Sequence, residues 1–217
     1  MDHPGIELSA IVSRDFQENC YVVRRPERSD CVVVDPGLDP ERIEKYLDNQ
    51  QLTPAALLLT HGHADHIAGN THLKRRWPQC PIVIGRADGP KLTDAVQNLS
   101  LPFGFEVLSP AADALLDEGD RYSAAGFDFR VLHIPGHSAG HIVYLLEGVE
   151  PPLAFVGDVI FSGSIGRTDF PGGDFDTLIA GIQQKLFQLP DETVLYSGHG
   201  PATTVGNEKR YNPFARL

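Results

Sequence analysis

Residues 60–70 concentrate metal-ligating side chains in one short stretch. The stretch reads T-H-G-H-A-D-H-I-A-G-N, in which four such side chains fall within six positions: His61, His63, Asp65 and His66. The apolar run 55–59 predicts a buried strand before it, and residues 67–77 predict a helix after it. Because side chains two apart in an extended chain point the same way, His61 and His63 can approach one ion. The turn then directs Asp65 and His66 to a neighbouring point, and these ligand types suit zinc, iron or manganese.

Three further candidates lie far along the chain but share one local context. Each stands close to the end of an apolar run and directly after a glycine: His137, Asp158 and His199. Glycine allows a tight turn there, so the side chain can face a shared cleft. Two metal ions with three protein ligands each, plus one shared carboxylate, would use all seven groups. That arrangement leaves room for a bridging water, as a catalytic metal site requires.

The rest of the chain alternates strand-like and helix-like segments, which predicts an α/β sandwich. Beyond the helix at 67–77, we predict helices over 40–51 and 175–189, with Asp39 and Asp174 as their N-caps, and a weaker helix over 88–99. Residues 101–112 contain proline and glycine without a clear period. They predict a loop near the mouth of the site.

The ordered motifs resemble those of the metallo-β-lactamase-fold hydrolases. They are H-x-H-x-D-H, then P-G-H-S-A-G-H, G-D and G-H-G, and they span residues 35–199. The run from G-D-V-I-F to G-R-T-D-F-P-G-G is similar to the short, single-domain members of the glyoxalase II (hydroxyacylglutathione hydrolase) branch. The resemblance implies a four-layer αββα sandwich, formed by one domain over residues 1–217, with the metals at one edge of the sheets.

The resemblance also implies which ligands share an ion. One metal would take His61, His63 and His137, the other would take Asp65, His66 and His199, and Asp158 would bridge them. We expect two divalent ions, zinc first, with iron or manganese also compatible. The implied enzyme is a metal-dependent thioester hydrolase acting on S-lactoylglutathione-type substrates. In such an enzyme a hydroxide held by the two metals would attack the thioester, and we expect Asp65 to have a catalytic role in orienting it.

Substrate recognition is where this sequence departs from the family. Full-length glyoxalase II has a carboxy-terminal helical domain with basic residues for glutathione, and we expect none here after Leu217. Arg167 is a candidate for an anionic substrate, or for pairing with a carboxylate such as Asp169. Lys209 and Arg210 are candidates to replace the missing basic arm, or they lie on a solvated tail.

Two residues are candidates to support the metal ligands by hydrogen bonds. Asp35 ends an apolar strand before Pro-Gly, so it either braces the metal loops, as the resemblance suggests, or simply forms the turn. His141 lies four positions after His137. It either supports a ligand or packs at the start of a strand, or it is itself a metal ligand.

A mono-iron persulfide dioxygenase is the alternative function. Such enzymes, which act on glutathione persulfide, also resemble this sequence through T-H-x-H-A-D-H and G-R-T-D-F. The continuation F-P-G-G-D and the tail G-N-E-K-R-Y-N-P-F favour the hydrolase. A β-lactamase is disfavoured, because Asp158 stands where the class B enzymes generally have another residue.

Composition narrows the partners and the compartment. The net charge of −11 argues against nucleic acid, which requires a basic face. We see no apolar run of membrane-spanning length and no secretory signal, so we expect no membrane. Three cysteines without a C-x-x-C pair suit a reducing compartment, which predicts the cytoplasm. The expected partner is a small-molecule thioester.

Overall fold

The computed structural model describes residues 3–216, in which two six-stranded β-sheets pack face to face. The first sheet has its strands in chain order: β1 (Glu7–Val12), β2 (Asn19–Arg24), β3 (Asp30–Val34), β4 (Thr53–Leu58), β5 (Ile82–Gly85) and β6 (Ala114–Leu116). Strands β1 to β3 pair antiparallel, whereas β3 to β6 run parallel. The parallel half delivers the 60–70 segment, which follows β4.

The second sheet contains six strands of the carboxy-terminal half: β7 (Arg121–Ala124), β8 (Phe127–His133), β9 (Ile142–Leu146), β10 (Leu153–Gly157), β13 (Val194–Ser197) and β14 (Thr203–Thr204). Their spatial order is β14-β13-β10-β9-β8-β7, and β10 with β13 is the parallel pair. Strands β11 (Ile160–Phe161) and β12 (Ser164–Ile165) form a separate small hairpin.

Helices occupy the connections and the outer faces. The α-helices are α1 (Pro40–Asn49), α2 (Ala64–Ile67), α3 (Asn70–Arg76), α4 (Phe175–Gln184) and α5 (Val205–Tyr211). Shorter 3₁₀ segments cover Arg86–Thr93, Leu101–Phe103 and Leu186–Gln188. No helix in the described part of the chain is both long and apolar enough to cross a membrane.

Three apolar cores create the four layers. Successive side chains of a strand face opposite sides, so Val32 joins the core between the sheets while Val33 joins an outer core. Helix α1 packs on that outer core through Ile43. On the far side, α4 packs against the second sheet through Leu178 and covers a third core. The order helix, sheet, sheet, helix confirms the predicted αββα sandwich.

Three predicted helices and one predicted cap need correction. The segment 67–77 is interrupted at Gly69, because its N–H donates to the Pro36 carbonyl at 2.7 Å instead of to the preceding helical turn. Residues 88–99 are a 3₁₀ segment and turns, with Pro90 inside. The helix from 175 ends at Gln184, although its predicted cap is confirmed by the Thr177 N–H bond to Asp174.

Asp39 does not cap α1 through its side chain. It adopts φ 63°, and its carboxylate instead accepts the Arg14 backbone N–H at 2.8 Å and pairs with the Arg14 guanidinium. This ion pair holds the pKa of the Asp39 carboxyl below its usual range.

Candidate metal centre

The seven predicted ligands come together at one edge of the two sheets. The carboxyl ends of parallel strands meet at the same edge, so β4 delivers the 60–70 segment while β10 and β13 deliver Asp158 and His199. His137 enters from the turn between β8 and β9. Two glycines permit these turns: Gly136 has φ 123°, and Gly157 has φ 46° with Thr60 packed against it.

The possible ligand atoms form three overlapping groups of three. Two are the expected trios, His61, His63 and His137 in one group and Asp65, His66 and His199 in the other, and a third group of His61, His66 and Asp158 overlaps both. Within each group the possible ligand atoms lie within 4.8 Å of one another. Such spacing lets three side chains reach one cation.

Asp158 lies between the two groups. Its Oδ1 is 3.4 Å from His66 Nε2, and its Oδ2 is 3.7 Å from His137 Nε2 and 3.6 Å from His199 Nε2. One carboxylate therefore faces ligands of both groups, which is the position that a bridging ligand needs.

Protein acceptors turn the histidine Nε2 atoms toward the centre. His66 Nδ1 lies 3.1 Å from Asp35 Oδ2, His137 Nδ1 lies 2.8 Å from the Arg167 carbonyl, and His199 Nδ1 lies 3.0 Å from the Phe16 carbonyl. These oxygens accept the Nδ1 proton, which leaves the Nε2 lone pair free for a metal.

Several atoms of the centre fit a bound cation. The Nε2 atoms of His61 and His137 face each other at 3.2 Å. Within residues 3–216, His66 Nε2 and Asp158 Oδ1 are buried without a hydrogen-bond partner. Buried polar atoms are normally satisfied, and a divalent ion would supply the missing partner.

Burial also keeps the first group in its ligating form. It lowers the pKa of His61, His63 and His137, with neighbouring imidazoles adding to the effect at His61. Neutral imidazole is the form that binds metal.

In the second group, oppositely charged neighbours outweigh burial and set the pKa values of the histidine and the carboxyl group. Burial disfavours protonated His66, but Asp65 and Asp158 outweigh it and raise the His66 pKa well above its usual range. Burial likewise opposes ionisation of Asp65, but His66 and His199 lower its pKa. A metal ion at this group must therefore displace protons.

Both candidate supporting residues lie directly behind the ligands. Asp35 Oδ1 accepts the Thr60 N–H at 2.7 Å, and its Oδ2 accepts the Thr60 hydroxyl at 2.7 Å as well as facing His66. His141 Nε2 accepts the Asp158 N–H at 3.1 Å, and its ring stacks on His61 with centroids 4.7 Å apart. Each residue thus orients metal-site groups by hydrogen bonds.

The three candidate substrate cations are placed differently. Arg167 lines the cavity above the centre, where it pairs with Asp169 at 2.7 Å. Lys209 and Arg210 lie on helix α5 outside that cavity, 2.7 and 3.8 Å from Asp191. The tail that carries them is folded, since the buried Glu208 accepts hydrogen bonds from Thr203, Asn212 and Gly163. The tail is therefore helical, while Arg210 remains 69% exposed to solvent on its surface.

A buried charge cluster ties the two histidine loops together, and no local pattern in the sequence predicts it. Asp88 accepts the Gly62 N–H at 2.8 Å and the Gly140 N–H at 2.7 Å. It also accepts the Ser138 hydroxyl at 2.5 Å, and Lys91 lies 3.3 Å away while donating to Ser138. We call Asp88, Lys91 and Ser138 the loop clamp.

Glu18 is a further buried residue for which no pattern in the sequence predicts a role. It is fully buried, and neither carboxyl oxygen has a hydrogen-bond partner in the described chain. Burial raises its pKa well above the usual range. Its Oε2 lies against Gly37, where an added Cβ would come within 2.1 Å.

Comparison with known families decides the relationship. Residues 13–199 match the family model described as the metallo-beta-lactamase superfamily. The chain belongs to this superfamily. A relative from Haemophilus influenzae, named hydroxyacylglutathione hydrolase GloC, is 39% identical and covers 97% of each chain. The probable metallo-hydrolase YqgX of Bacillus subtilis is 37% identical over 92% of each chain. These matches place the chain among the metal-dependent hydrolases of the superfamily.

Solved structures agree with the fold. BLEG-1, named a B3 metallo-beta-lactamase, superposes with TM-score 0.91 at 37% identity, over 96% of this chain and 99% of that one. TTHA1623, solved in a di-iron-bound form, superposes with TM-score 0.83 at 36% identity, over 95% of this chain and 99% of that one. ETHE1 from Myxococcus xanthus superposes with TM-score 0.79 at 28% identity, over 96% of this chain and 84% of that one. Family membership and the ligand cluster together imply a divalent metal.

Proposed function

We propose that the protein is a two-metal thioester hydrolase acting on S-lactoylglutathione-type substrates. The observation that carries the proposal is the convergence of two three-residue ligand groups on Asp158, which faces both. The 39% identical relative named hydroxyacylglutathione hydrolase supports the choice of a thioester as substrate. Zinc is our first choice of metal, with iron supported by the di-iron-bound TTHA1623 and manganese compatible with the ligands.

The first group would hold one ion through three imidazoles, the second would hold the other, and Asp158 would bridge them. When bound, such ions lower the pKa of a water and stabilise the oxyanion of a carbonyl under attack. Asp65 lies 3.3 Å from His199 and lines the cavity, so its carboxylate can accept a proton from water and orient the attack. A thiol of ordinary pKa, about 8.5, leaves without a strong general acid.

The test is thiol release from S-lactoylglutathione by protein of measured metal content. We expect turnover that depends on metal, and we expect Asp65→Asn to reduce kcat about 10²-fold or more, the lower range for a lost acid–base group. An Asp128→Asn variant is the control, because Asp128 is an exposed carboxylate outside the seven ligands and outside the cavity. Absence of metal-dependent thiol release would overturn the proposal.

A persulfide dioxygenase is the second candidate, because T-H-x-H-A-D-H and G-R-T-D-F also resemble motifs of those enzymes. Oxygen uptake with glutathione persulfide by the iron-loaded protein, without thioester cleavage, would support that function instead. A chromogenic cephalosporin belongs in the same assay because of the similarity to BLEG-1. We expect no activity on it.

We propose that the substrate is a small molecule and that neither nucleic acid nor membrane is a partner. The net charge of −11 supports this choice. We also propose the cytoplasm as the location, because Cys20, Cys31 and Cys80 are buried, unpaired thiols.

A further inference from the structure

The metal centre forms the floor of a cavity of about 180 Å³ whose mouth is aromatic. Four phenylalanines line the cavity, and we call them the aromatic rim: Phe16, Phe103, Phe105 and Phe170. They come from three loops that are far apart in the sequence. Phe16 and Phe103 are 48% and 52% exposed, so their apolar surface remains open to a ligand.

The rim is a continuous series of ring contacts that begins at a predicted metal ligand. Phe170 packs edge-on to His63 at 6.3 Å between centroids, and Phe103 packs edge-on to Phe170 at 5.9 Å. Phe16 then contacts Phe103 at 6.3 Å and Phe105 at 6.0 Å. These spacings are those of favourable aromatic pairs. An apolar group bound at the metals would therefore remain in contact with rings as it extends outward.

The loop that carries two of the rim rings is anchored to the metal segment. Ala64, between two predicted ligands, donates its N–H to the Asn98 carbonyl at 2.9 Å. The Asn98 side chain donates to the Val107 carbonyl at 2.8 Å, which closes the loop around Phe103 and Phe105. The rim is thus positioned before a ligand arrives.

Free positive charge is scarce in the cavity wall. Among the described lining residues, Arg167 is the one lysine or arginine. Its guanidinium is paired with Asp169 and lies 3.7 Å above the centre of the Phe170 ring. The peptide part of a glutathione thioester, with its carboxylates, has no unpaired cation to bind within this space. An apolar cavity of about 150 Å³ binds benzene in another protein, so a cavity of 180 Å³ suits the acyl group instead.

We propose that the aromatic rim is an acyl-binding subsite, so that the enzyme prefers thioesters with aryl or branched apolar acyl groups over small polar ones. This proposal rests on the thioester hydrolase function proposed above. One extra or missing methylene in a hydrophobic pocket changes the ratio of two substrates' kcat/KM values about 10–200-fold. Because the rim is half exposed, we expect about a tenfold preference for a phenyl group over a methyl group.

Two measurements on the metal-loaded protein test the subsite. The first compares kcat/KM for S-mandeloylglutathione and S-lactoylglutathione, which differ by phenyl against methyl; we expect about a tenfold preference for mandeloyl. The second measures, by calorimetry, the Kd of two thioethers that cannot be hydrolysed, S-benzylglutathione and S-methylglutathione. We expect about tenfold tighter binding of the benzyl compound.

Phe103→Ala should reduce both ratios to within about twofold of one. Phe214→Ala is the matched control, since Phe214 is 50% exposed and does not line the cavity; both ratios should stay at the wild-type value. Equal thioether affinities in the wild type, or a preference that persists in Phe103→Ala, would overturn the subsite. If the protein hydrolyses neither thioester, the hydrolase proposal is refuted. The affinities of the two thioethers would still decide whether the rim binds apolar groups.

Discussion

Replacing Asp88 with alanine tests whether the loop clamp holds the two histidine loops. In the native protein Asp88 is fully buried and Lys91 is 8% exposed. The substitution leaves the Lys91 ammonium buried without its counter-charge. It also removes the acceptor of the Gly62 and Gly140 N–H groups.

The free-energy cost follows from these contacts. Removing one partner of a buried ion pair costs about 3–5 kcal/mol, because the remaining charge is uncompensated. A buried donor that loses its acceptor costs about 1–3 kcal/mol. The terms overlap, so we expect Asp88→Ala to lower the free energy of unfolding by about 4 kcal/mol. Lys91→Met leaves Asp88 with three donors, and we expect less than about 2 kcal/mol.

Urea unfolding followed by circular dichroism measures both values, and metal analysis of the same samples reports the centre. We expect Asp88→Ala to lose metal from the His61, His63 and His137 group as well as stability. An exposed pair is the control: Asp117→Ala breaks the Arg86 ion pair and should cost at most about 1 kcal/mol. If Asp88→Ala lowers the free energy of unfolding by less than about 1 kcal/mol, the loop clamp does not hold the two histidine loops. The same follows if Lys91→Met lowers it by as much as Asp88→Ala does.

The remaining predictions concern the centre. Asp158→Ala should abolish nearly all activity and reduce bound metal while the circular dichroism spectrum is retained; full turnover would refute bridging by Asp158. Gly198→Ala should weaken metal binding about tenfold or more by calorimetry, because the new Cβ would lie 2.3 Å from Asp158 Oδ1 and 2.6 Å from the His66 ring. Metal affinity should fall as pH falls, and this dependence should extend above the ordinary imidazole value of 6.5. The His66 pKa is raised in the metal-free protein, so binding releases its proton. Calorimetry in buffers of different ionisation enthalpy counts that proton, and a zero count at pH 7 would contradict the assignment.

The sequence by itself predicted the chemistry of the centre. Spacing within residues 60–66 fixes four ligand types on one turn, and local glycine signals mark the other three at strand ends. The alternation of strand-like and helix-like segments predicted an α/β sandwich, and the family resemblance implied its αββα layers. Asp174 was recognised as a helix cap because its partner Thr177 lies only three residues away.

Tertiary structure alone decided the surroundings of the centre. Residues 88–99 begin in a 3₁₀ segment with Pro90 inside, and Asp88 ties this segment to Gly62 and Gly140 by hydrogen bonds that no local pattern reveals. The aromatic rim joins three distant loops, so isolated phenylalanines carried no signal in the sequence. Local patterns could name the ligands because each is chemically distinctive and is marked by its immediate neighbours in the chain. Hydrogen-bond partners and apolar contacts between distant loops depend on how the two sheets pack, and only the folded chain determines them.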